Sequence, residues 1–499
     1  MNTLVDPLSR LGLAVCLCLV ACRQTNQPPL DPTRPSGPSS SMLDYPSVYS
    51  TSTTDPDGDS IAYRFTWGDG ETTHWSTYFP EGSTLAMSHG WRNAGSYPVK
   101  AQATDRSGAI SEWSEPTLVD VAGRREVLWN ALLPAEPFSS PLILEDGAEF
   151  VVVVASEESL ISVGLDGITR NSCAPRWHDG GFTSDPVYCR ATGNIILGTD
   201  DELCAYTPEL DLAWHWPGDS ILDLFWGSPA VRDNRVYVAS EGEWGDVLRY
   251  FLDLGSEACL MNSYYLDDEA ILDSPVIDPS GSVLFCTDAG YLCKLAPDID
   301  SVIWRVQVAD MEAYGAAVDD DGVTYVGSDA LGLVAVTPDG EIKWTYHTGD
   351  GPGRPAVGDG RVYVGNWNGR LMALDVDDGL EVWSVNLAIP DWGEPAVDAC
   401  PLLTSDGLLY VVAEDRLLFC VDRDEGLVLW YCQCDTRART DRDSEDTPPS
   451  PTIAPDGNII VTVWEDFLSC VPGYPGAQLA DTPWPKWQRD YYNTGCARP

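Results

Sequence analysis

Histidine is the side chain best able to act as a general acid, a base or a metal ligand near neutral pH, and this chain has five. None stands at the spacing of a metal site or a catalytic triad, and no phosphate-binding loop, Gly-X-Ser-X-Gly elbow or dinucleotide fingerprint is present. We interpret each as an ordinary strand or loop residue: His74, His89, His178, His215 and His347. The sequence therefore predicts no catalytic site.

Three acidic residues alternate at Asp55, Asp57 and Asp59. Clustered carboxylate oxygens are the ligands that Ca²⁺ prefers, so these residues are a candidate calcium site. A turn in which the carboxylates hydrogen-bond their own backbone has the same pattern. The turn is the favoured interpretation, and calcium remains the alternative.

Twelve of the fifteen cysteines lie beyond Cys22. Four of them occupy a repeated position that Ala335 and Ala373 fill elsewhere, which predicts small buried residues: Cys204, Cys293, Cys420 and Cys470. Cys432 and Cys434 have the wrong spacing for zinc or thioredoxin chemistry.

One disulfide is a candidate. If Ala289 and Gly290 form a two-residue hairpin loop, Cys286 and Cys293 lie directly opposite each other, within disulfide distance.

The N-terminal residues have the pattern of a targeting segment. An apolar stretch over residues 11–21 is too short to span a bilayer. It ends in Leu19-Val20-Ala21-Cys22, which resembles the lipobox of bacterial lipoproteins. The resemblance implies a signal peptide over 1–21, lipidation at Cys22 and, with Arg23 next, sorting to the outer membrane. An ordinary secretory signal is the alternative. Residues 22–44 are rich in Pro, Ser and Thr, which predicts a disordered tether.

Charge excludes one class of partner. The chain has 77 acidic and 29 basic residues, a formal net charge of −48. Nucleic acids bind through phosphate neutralisation by Lys and Arg, so a nucleic-acid partner is excluded. The acidic residues are spread through turns, which favours a solvated surface.

A repeated pattern sets the architecture. Eight anchors, each followed by an apolar run, an Asp-Gly turn and a second apolar run, recur at intervals of 45, 43, 46, 41, 39, 46 and 50 residues: Pro141, Pro186, Pro229, Pro275, Ala316, Pro355, Pro401 and Pro451. This is the length of a four-stranded propeller blade. The sequence predicts an all-β chain with an eight-bladed β-propeller over 123–499.

The sixth repeat carries a family resemblance. Ala373, Asp375, Gly379 and Trp383 resemble the pyrroloquinoline-quinone (PQQ) type propeller repeat, in which the Trp docks between blades. Fainter copies end in Trp214, Trp304, Trp344 and Trp430.

Ring closure is also predicted. The last repeat lacks a clear Trp strand, and residues 126–129 have the missing pattern, so we expect them to complete it and leave no open edge. The tail over 484–495 is expected to pack against the propeller.

Residues 45–122 show short alternating strand patterns. Three segments resemble the polycystic-kidney-disease (PKD) family of immunoglobulin-like domains: 55–59, Trp67-Gly68-Asp69-Gly70 and His89-Gly90-Trp91. The resemblance implies a small seven-stranded β-sandwich that serves as a spacer or adhesive module.

Three functions are compatible with this organisation. The favoured one is a lipid-anchored, non-enzymatic scaffold of the bacterial envelope, facing the periplasm or the cell surface; its architecture resembles the propeller lipoprotein of the outer-membrane barrel-assembly machinery. A carbohydrate or cell-wall binder is the second. A PQQ-dependent quinoprotein is the third, although the adjacent cysteines typical of such enzymes are lacking. Trp226 and Trp392, in connections between blades, are the candidate binding face.

Overall fold

The computed structural model describes residues 26–498 except 44–45, 136, 147–148, 177–180, 218–224, 226, 241–245, 267–268, 272, 311–312, 329–330, 388–394, 415–416, 435–448 and 464–466. The predicted all-β fold is confirmed. The described residues form no helix that is long and apolar enough to cross a membrane.

The chain divides into two compact units. The described residues of the N-terminal region contain six strands, where the family resemblance implies seven: β1 (Ser40–Met42), β2 (Ser47–Thr51), β3 (Ile61–Thr66), β4 (Leu85–His89), β5 (Gly95–Asp105) and β6 (Thr117–Arg125). In the smaller unit β3 pairs with β5, and Tyr63 and Phe65 of β3 point into the core. The Tyr63 hydroxyl donates to Ser83 O (3.0 Å) and accepts from Thr53 N (3.0 Å), and burial raises its pKa.

The predicted tether is wrong for residues 26–42. Leu30, Thr33 and Ser36 donate their N–H groups to carbonyl oxygens over 50–54, at 2.8–3.0 Å. Residues Ser40–Met42 form β1, which pairs in parallel with β6. Low aromatic content does not prevent ordering here, because a neighbouring strand supplies the backbone partners that an isolated segment lacks.

The remaining strands form four-stranded antiparallel sheets, in chain order except at the last repeat. The first four repeats are β8 (Leu142–Asp146), β9 (Glu149–Ser156), β10 (Ser159–Gly164) and β11 (Thr169–Cys173); β12 (Val187–Cys189), β13 (Asn194–Gly198), β14 (Glu202–Tyr206) and β15 (Leu212–Pro217); β16 (Ala230–Arg232), β17 (Arg235–Ser240), β18 (Val247–Asp253) and β19 (Ala258–Tyr265); and β20 (Val276–Ile277), β21 (Val283–Cys286), β22 (Tyr291–Leu295) and β23 (Val302–Gln307).

The other four repeats follow the same plan. They are β24 (Ala313–Val318), β25 (Thr324–Ser328), β26 (Gly332–Val336) and β27 (Ile342–Tyr346); β28 (Ala356–Gly358), β29 (Arg361–Gly365), β30 (Arg370–Asp375) and β31 (Glu381–Asn386); β32 (Leu402–Leu403), β33 (Leu408–Ala413), β34 (Leu417–Asp422) and β35 (Val428–Gln433); and β36 (Thr452–Ile453), β37 (Ile459–Val463) and β38 (Phe467–Val471) with β7 (Trp129–Leu132). The first two strands of each repeat are almost wholly buried.

The prediction of eight like blades needs correction, because seven of these sheets stand alone as four-stranded blades. The repeat that begins at Pro401 also forms four antiparallel strands, but its outer strand β35 pairs in parallel with β6, so this sheet is longer. The partners are Trp430 with Gly123 and Cys432 with Arg125. The propeller thus has seven self-contained blades, and strand addition to β35 is invisible in the repeat pattern.

The predicted ring closure is confirmed, with the strand shifted by three residues. β7 pairs with β38, and Trp129 lies opposite Cys470. The Trp129 Nε1 donates to Leu165 O (2.9 Å) in the first blade. The last sheet is therefore completed by the chain segment that precedes the first, and the ring has no open end.

Tryptophans dock neighbouring repeats together. In the clearest case the Trp344 Nε1 donates to Val376 O (2.9 Å) of the next blade, and its ring lies against Gly379. Gly379 has φ of +71°, and a Cβ there would lie 2.6 Å from Trp344 Cδ2. Trp304 and Trp383 repeat this contact with Gly340 and Gly426. A glycine is required at this turn both for its backbone conformation and for the space that the indole fills.

Candidate functional site

Several predicted site residues lie outside the described residues. These are the lipidation candidate Cys22 and both binding-face candidates, Trp226 and Trp392. Phe225, next to Trp226, is fully buried, and its carbonyl accepts a hydrogen bond from the Thr183 hydroxyl (2.6 Å). The lipid anchor and the aromatic binding face stay predictions.

Residues 55–59 form a turn, which confirms the favoured interpretation of the three aspartates. Asp55 is 4% exposed, and its Oδ1 accepts from the backbone N–H groups of Asp57 (2.8 Å) and Asp59 (3.3 Å). Nowhere in the described ranges do three or more His, Cys, Asp or Glu side chains converge as a metal site would require. The Oδ2 of Asp55 and the Oδ1 of Asp57 are buried without a hydrogen-bond partner, and calcium binding there stays a prediction.

The predicted disulfide geometry is also wrong. Cys286 lies opposite Leu292, and Cys293 lies opposite Phe285, so the register differs by one residue from the predicted one. The loop holds four residues, closed by the Thr287 N–H to Tyr291 O (2.9 Å). Because a shift of one residue moves a side chain to the other face of a sheet, the two thiols belong to different core clusters and both are free.

Burial of the repeated cysteines is confirmed, and burial raises the pKa of each thiol. The prediction that all four cysteines occupy the same position in their repeats is only partly correct. Cys420 and Cys470 lie opposite the docking tryptophans, as Ala335 and Ala373 do. The equivalent positions in the second and fourth blades hold Ala205 and Lys294, so Cys204 and Cys293 are displaced by one residue.

A polar ring that sequence reasoning missed surrounds the propeller axis. It consists of the residue before each repeat anchor, and we call it the inner ring: Ser140, Asp185, Ser228, Ser274, Gly315, Arg354, Cys400 and Ser450. Backbone N–H groups of one repeat donate to side-chain oxygens of the next: Ser140 to Asp185 (2.6 Å), Asp185 to Ser228 (3.0 Å), Ser228 to Ser274 (2.9 Å), Cys400 to Ser450 (2.9 Å) and Ser450 to Ser140 (3.1 Å). A Ser or Asp directly before five of the eight anchors was the available signal.

The C-terminal tail lies across the inner strands. Six of the eight first strands donate a backbone N–H to it: Leu403 to Pro485, Val357 to Trp484, Ile143 to Tyr491, Tyr188 to Tyr492, Val231 to Thr494 and Ile277 to Gly495, at 2.7–3.2 Å. First strands line the channel of a propeller, so the tail occupies the channel of this one. We call residues 477–498 the channel plug. The predicted packing role of the tail is confirmed in a specific form.

Trp487 of the plug contacts two charged residues of the inner ring, Asp185 and Arg354. The Trp487 Nε1 donates to Asp185 Oδ2 (2.7 Å), and the Arg354 guanidinium lies 4.1 Å from the Trp487 ring centre and 3.5 Å from Asp273. Lys486 is fully buried and donates to Asn493 Oδ1 (2.6 Å) and Trp487 O (3.0 Å). Burial lowers the pKa of Lys486 to about 8. The buried Lys486 ammonium group thus links Trp487, Asp490 and Asn493 of the plug to one another.

One carboxyl group with a raised pKa belongs to Asp398, whose backbone carbonyl accepts from the N–H of the inner-ring residue Arg354 (3.0 Å). Burial, and to a smaller extent the nearby Glu414, raises the pKa of Asp398 to about 7. Its Oδ1 is buried without a hydrogen-bond partner. Asp398 is therefore partly protonated near neutral pH, which makes it a pH-sensitive element of the propeller.

Geometry limits the chemistry of the channel. Six of its eight first strands donate to the chain's own plug, and inner-ring residues bond from repeat to repeat. The outer strands and the turns between strands are the remaining surfaces. Among the described residues this arrangement favours contacts with macromolecules over conversion of a small substrate.

Comparison with known protein families divides the chain in the same way. A family described as outer membrane protein assembly factor BamB matches residues 288–391 and 347–463, and the PKD domain family matches residues 43–116. The chain thus combines an N-terminal PKD domain with a β-propeller.

Curated relatives carry the same description. Outer membrane protein assembly factor BamB of Escherichia coli (strain K12) is 34% identical over 96 residues, which cover 17% of this chain and 24% of that protein. The protein of that name in Moranella endobia (strain PCIT) is 26% identical over 222 residues, which cover 41% of this chain and 53% of that protein. The chain spans about a quarter to about half the length of these relatives.

Two solved structures share the fold at low identity. The crystal structure of BamB from Moraxella catarrhalis is 12% identical, with a TM-score of 0.52, and the match covers 70% of this chain and 99% of that one. The C-terminal WD40 domain of Sif2 is 10% identical, with a TM-score of 0.56, and the match covers 71% and 99%. These likenesses establish the propeller architecture alone.

Proposed function

We propose that this protein is a non-enzymatic scaffold of the bacterial cell envelope, held at the outer membrane by a lipid on Cys22, which binds other envelope proteins during outer-membrane protein assembly. The filled channel carries the proposal, because it leaves the outer strands and the turns as the surfaces for contact. The similarity of residues 288–463 to outer membrane protein assembly factor BamB supports the same role.

The plug also argues against the quinoprotein alternative. Trp487 and Lys486 lie at the centre of the propeller and bond to the inner ring and to the plug itself. A small cofactor bound there would have to break these contacts. Addition of PQQ and calcium to the purified protein should therefore support no dye reduction with alcohols or sugars.

The experiment pairs capture with a cellular readout. The tagged full chain is crosslinked in its own cells, purified from detergent-solubilised envelopes and analysed by mass spectrometry, while outer-membrane protein content is compared between cells with and without the gene. We expect envelope assembly proteins among the captured partners and a lower outer-membrane content of β-barrel proteins in the deletion strain. Unchanged barrel content together with capture of polysaccharide alone would refute the proposal and favour the carbohydrate-binding alternative.

The candidate binding face has its own test. Trp226→Ala and Trp392→Ala should weaken partner capture while the melting temperature stays within about 2 °C. A large loss of stability with intact capture would return both residues to the core.

A further inference from the structure

The outer strand of each propeller repeat has one edge that faces away from its own sheet. Such an edge presents backbone N–H and C=O groups to any extended chain, so proteins protect edges with charges, prolines, short strands or a covering segment. The outer strands of this propeller are β11, β15, β19, β23, β27, β31, β35 and β7.

Most of these edges are protected in a recognisable way. A charged residue stands in four of them: Arg170 in β11, Arg305 in β23, Lys343 in β27 and Glu381 in β31. β15 ends in Pro217, and β7 has four residues only.

Two outer strands contain neither a charge nor a proline and are six residues or longer. One is β35, and the chain itself covers its edge with β6. The other is β19, whose eight residues make it the longest outer strand. Within the described part of the chain β19 pairs with β18 alone. Among the described residues the protein thus covers one of these two edges and pairs no strand with the other.

The exposed groups of β19 suit strand addition. Met261 is 50% exposed and Tyr265 is 63% exposed, so apolar surface accompanies the edge. Leu266, directly after β19, donates its N–H to the carbonyl oxygen of Asp246, directly before β18 (2.9 Å). Because backbone groups alternate along an antiparallel strand, the N–H of Tyr265 points away from β18.

A second free donor lies at the other end of the strand. The Asp253 N–H donates to Asn234 O on the opposite side, so the pair of Asp253 with Ala258 is not hydrogen-bonded across β18 and β19. Two residues on, the Leu260 N–H also points outward. The Ser263 N–H, between them, is held by the neighbouring Asn262 Oδ1 (2.9 Å).

A substitution in the repeat makes this edge different from its neighbours. Six other repeats have a docking tryptophan where β19 has Asn262: Trp129, Trp214, Trp304, Trp344, Trp383 and Trp430. The remaining repeat has Asn171 there, in β11. The Asn262 Nδ2 keeps the contact to the next blade, with a bond to Asp298 O (2.8 Å). The Asn262 side chain is smaller than an indole, but it still donates a hydrogen bond to the next blade.

We propose that β19 is a docking edge that takes an extended segment of a partner protein by strand addition. The pairing of β6 with β35 shows that an outer edge of this propeller accepts an added strand. A net charge of −48 opposes a second copy of this chain as the occupant, and favours a segment that has apolar residues toward Met261 and Tyr265 and carries Lys or Arg. The inference deepens the proposed function and rests on it, since it names the surface that holds the partner.

Site-specific photocrosslinking in the protein's own cells tests the proposal. p-Benzoylphenylalanine replaces Met261 in the full chain, and Ile303 in the control. Met261 is the extra residue of the bulge in β19, and Ile303 is the extra residue of the bulge in β23. Both side chains are about half exposed. They differ in that β23 contains a charged residue, whereas β19 contains none. We expect at least five times more crosslinked protein from position 261.

Strand addition is then separated from side-chain contact at Tyr265. Tyr265→Pro removes both the ring and the outward N–H, whereas Tyr265→Thr removes only the ring. The crosslink from position 261 should fall at least fivefold with Pro and less than twofold with Thr, and melting temperatures of the purified variants check that both fold. An equal effect of the two variants overturns the proposal. So does a yield at 261 no higher than at 303, or a crosslinked product that consists of two copies of this chain.

A synthetic peptide of the crosslinked segment provides the direct measurement. At saturating peptide the amide exchange of Leu260 and Tyr265 should slow at least tenfold, while that of Arg305 stays unchanged. Unchanged exchange at both β19 amides overturns the proposal. Normal outer-membrane β-barrel content in cells that lack the gene, with the crosslink and the protection intact, would refute the proposed function and leave the docking edge standing.

Discussion

The docking of Trp344 on Gly379 makes a quantitative prediction about what holds neighbouring blades together. In Gly379→Ala, the new Cβ would lie 2.6 Å from Cδ2 and 2.8 Å from Cε3 of Trp344. The residue also has φ of +71°, where an L side chain is strained. Two costs therefore add, one from the backbone and one from overpacking.

A matched control separates the two costs. Gly360, in another turn of the same blade, has φ of +73°, and a Cβ there meets nothing within 4 Å. The backbone cost is about 1–2 kcal/mol at either position. Overpacking a fitted contact costs about 1–3 kcal/mol more. Gly360→Ala should therefore destabilise the propeller by about 1–2 kcal/mol and Gly379→Ala by about 2–5 kcal/mol.

Urea titration followed by tryptophan fluorescence measures both free energies of unfolding, with the propeller transition analysed by itself. The double variant Trp344→Ala with Gly379→Ala completes the cycle: once the indole is gone, the added methyl group should cost no more than it does at Gly360. If Gly379→Ala and Gly360→Ala destabilise the propeller equally, or if the cost at Gly379 persists without the indole, the inter-blade docking argument is wrong.

Three further predictions follow from other parts of the chain. Cys22→Ser should release the protein from membranes, measured by fractionation; a variant that stays with the membrane as the parent does would show that the anchor lies elsewhere. A chain that begins at Pro134 should melt well below one that begins at Gly123, because it loses β7 and the Trp129 bond to Leu165; equal melting temperatures would mean that the ring closes by another route. Burial raises the pKa of Asp398 from 3.8 to about 7, so the folded state binds more protons in this range and the contribution of this group to stability is lost as the pH rises through it. Asp398→Asn should remove that part of the pH dependence in unfolding titrations between about pH 4 and pH 7, and a variant with the parent's slope would contradict the assignment.

The repeat architecture could be predicted from the sequence because its signals are local. A glycine at positive φ marks a tight turn, as Gly322 and Gly457 do, and alternating apolar residues mark the strands on either side. The docking tryptophans recur at a fixed distance from their turns, so their role was also predictable. Ring closure by β7 followed from counting outer strands, because a closed ring cannot leave one repeat a strand short.

Register within the repeats was less predictable. In seven of the eight repeats the third strand meets its outer strand through a bulge, as between Ala373 and Leu374. An extra residue of this kind, or a longer loop such as the one after Cys286, moves every later side chain to the other face of the sheet. The candidate disulfide and the positions of Cys204 and Cys293 were wrong for this reason.

The sequence by itself determined the strands, the turns, the repeat length and the meeting of the two ends, since each depends on residues close together along the chain. Only the tertiary structure decided which groups surround the axis and which outer edge β6 covers. The inner ring joins residues about 45 positions apart, the Trp487 bond to Asp185 spans 302, and β6 reaches β35 across about 300. Such contacts depend on how the blades are arranged around the axis. A pattern that repeats along the chain does not specify that arrangement.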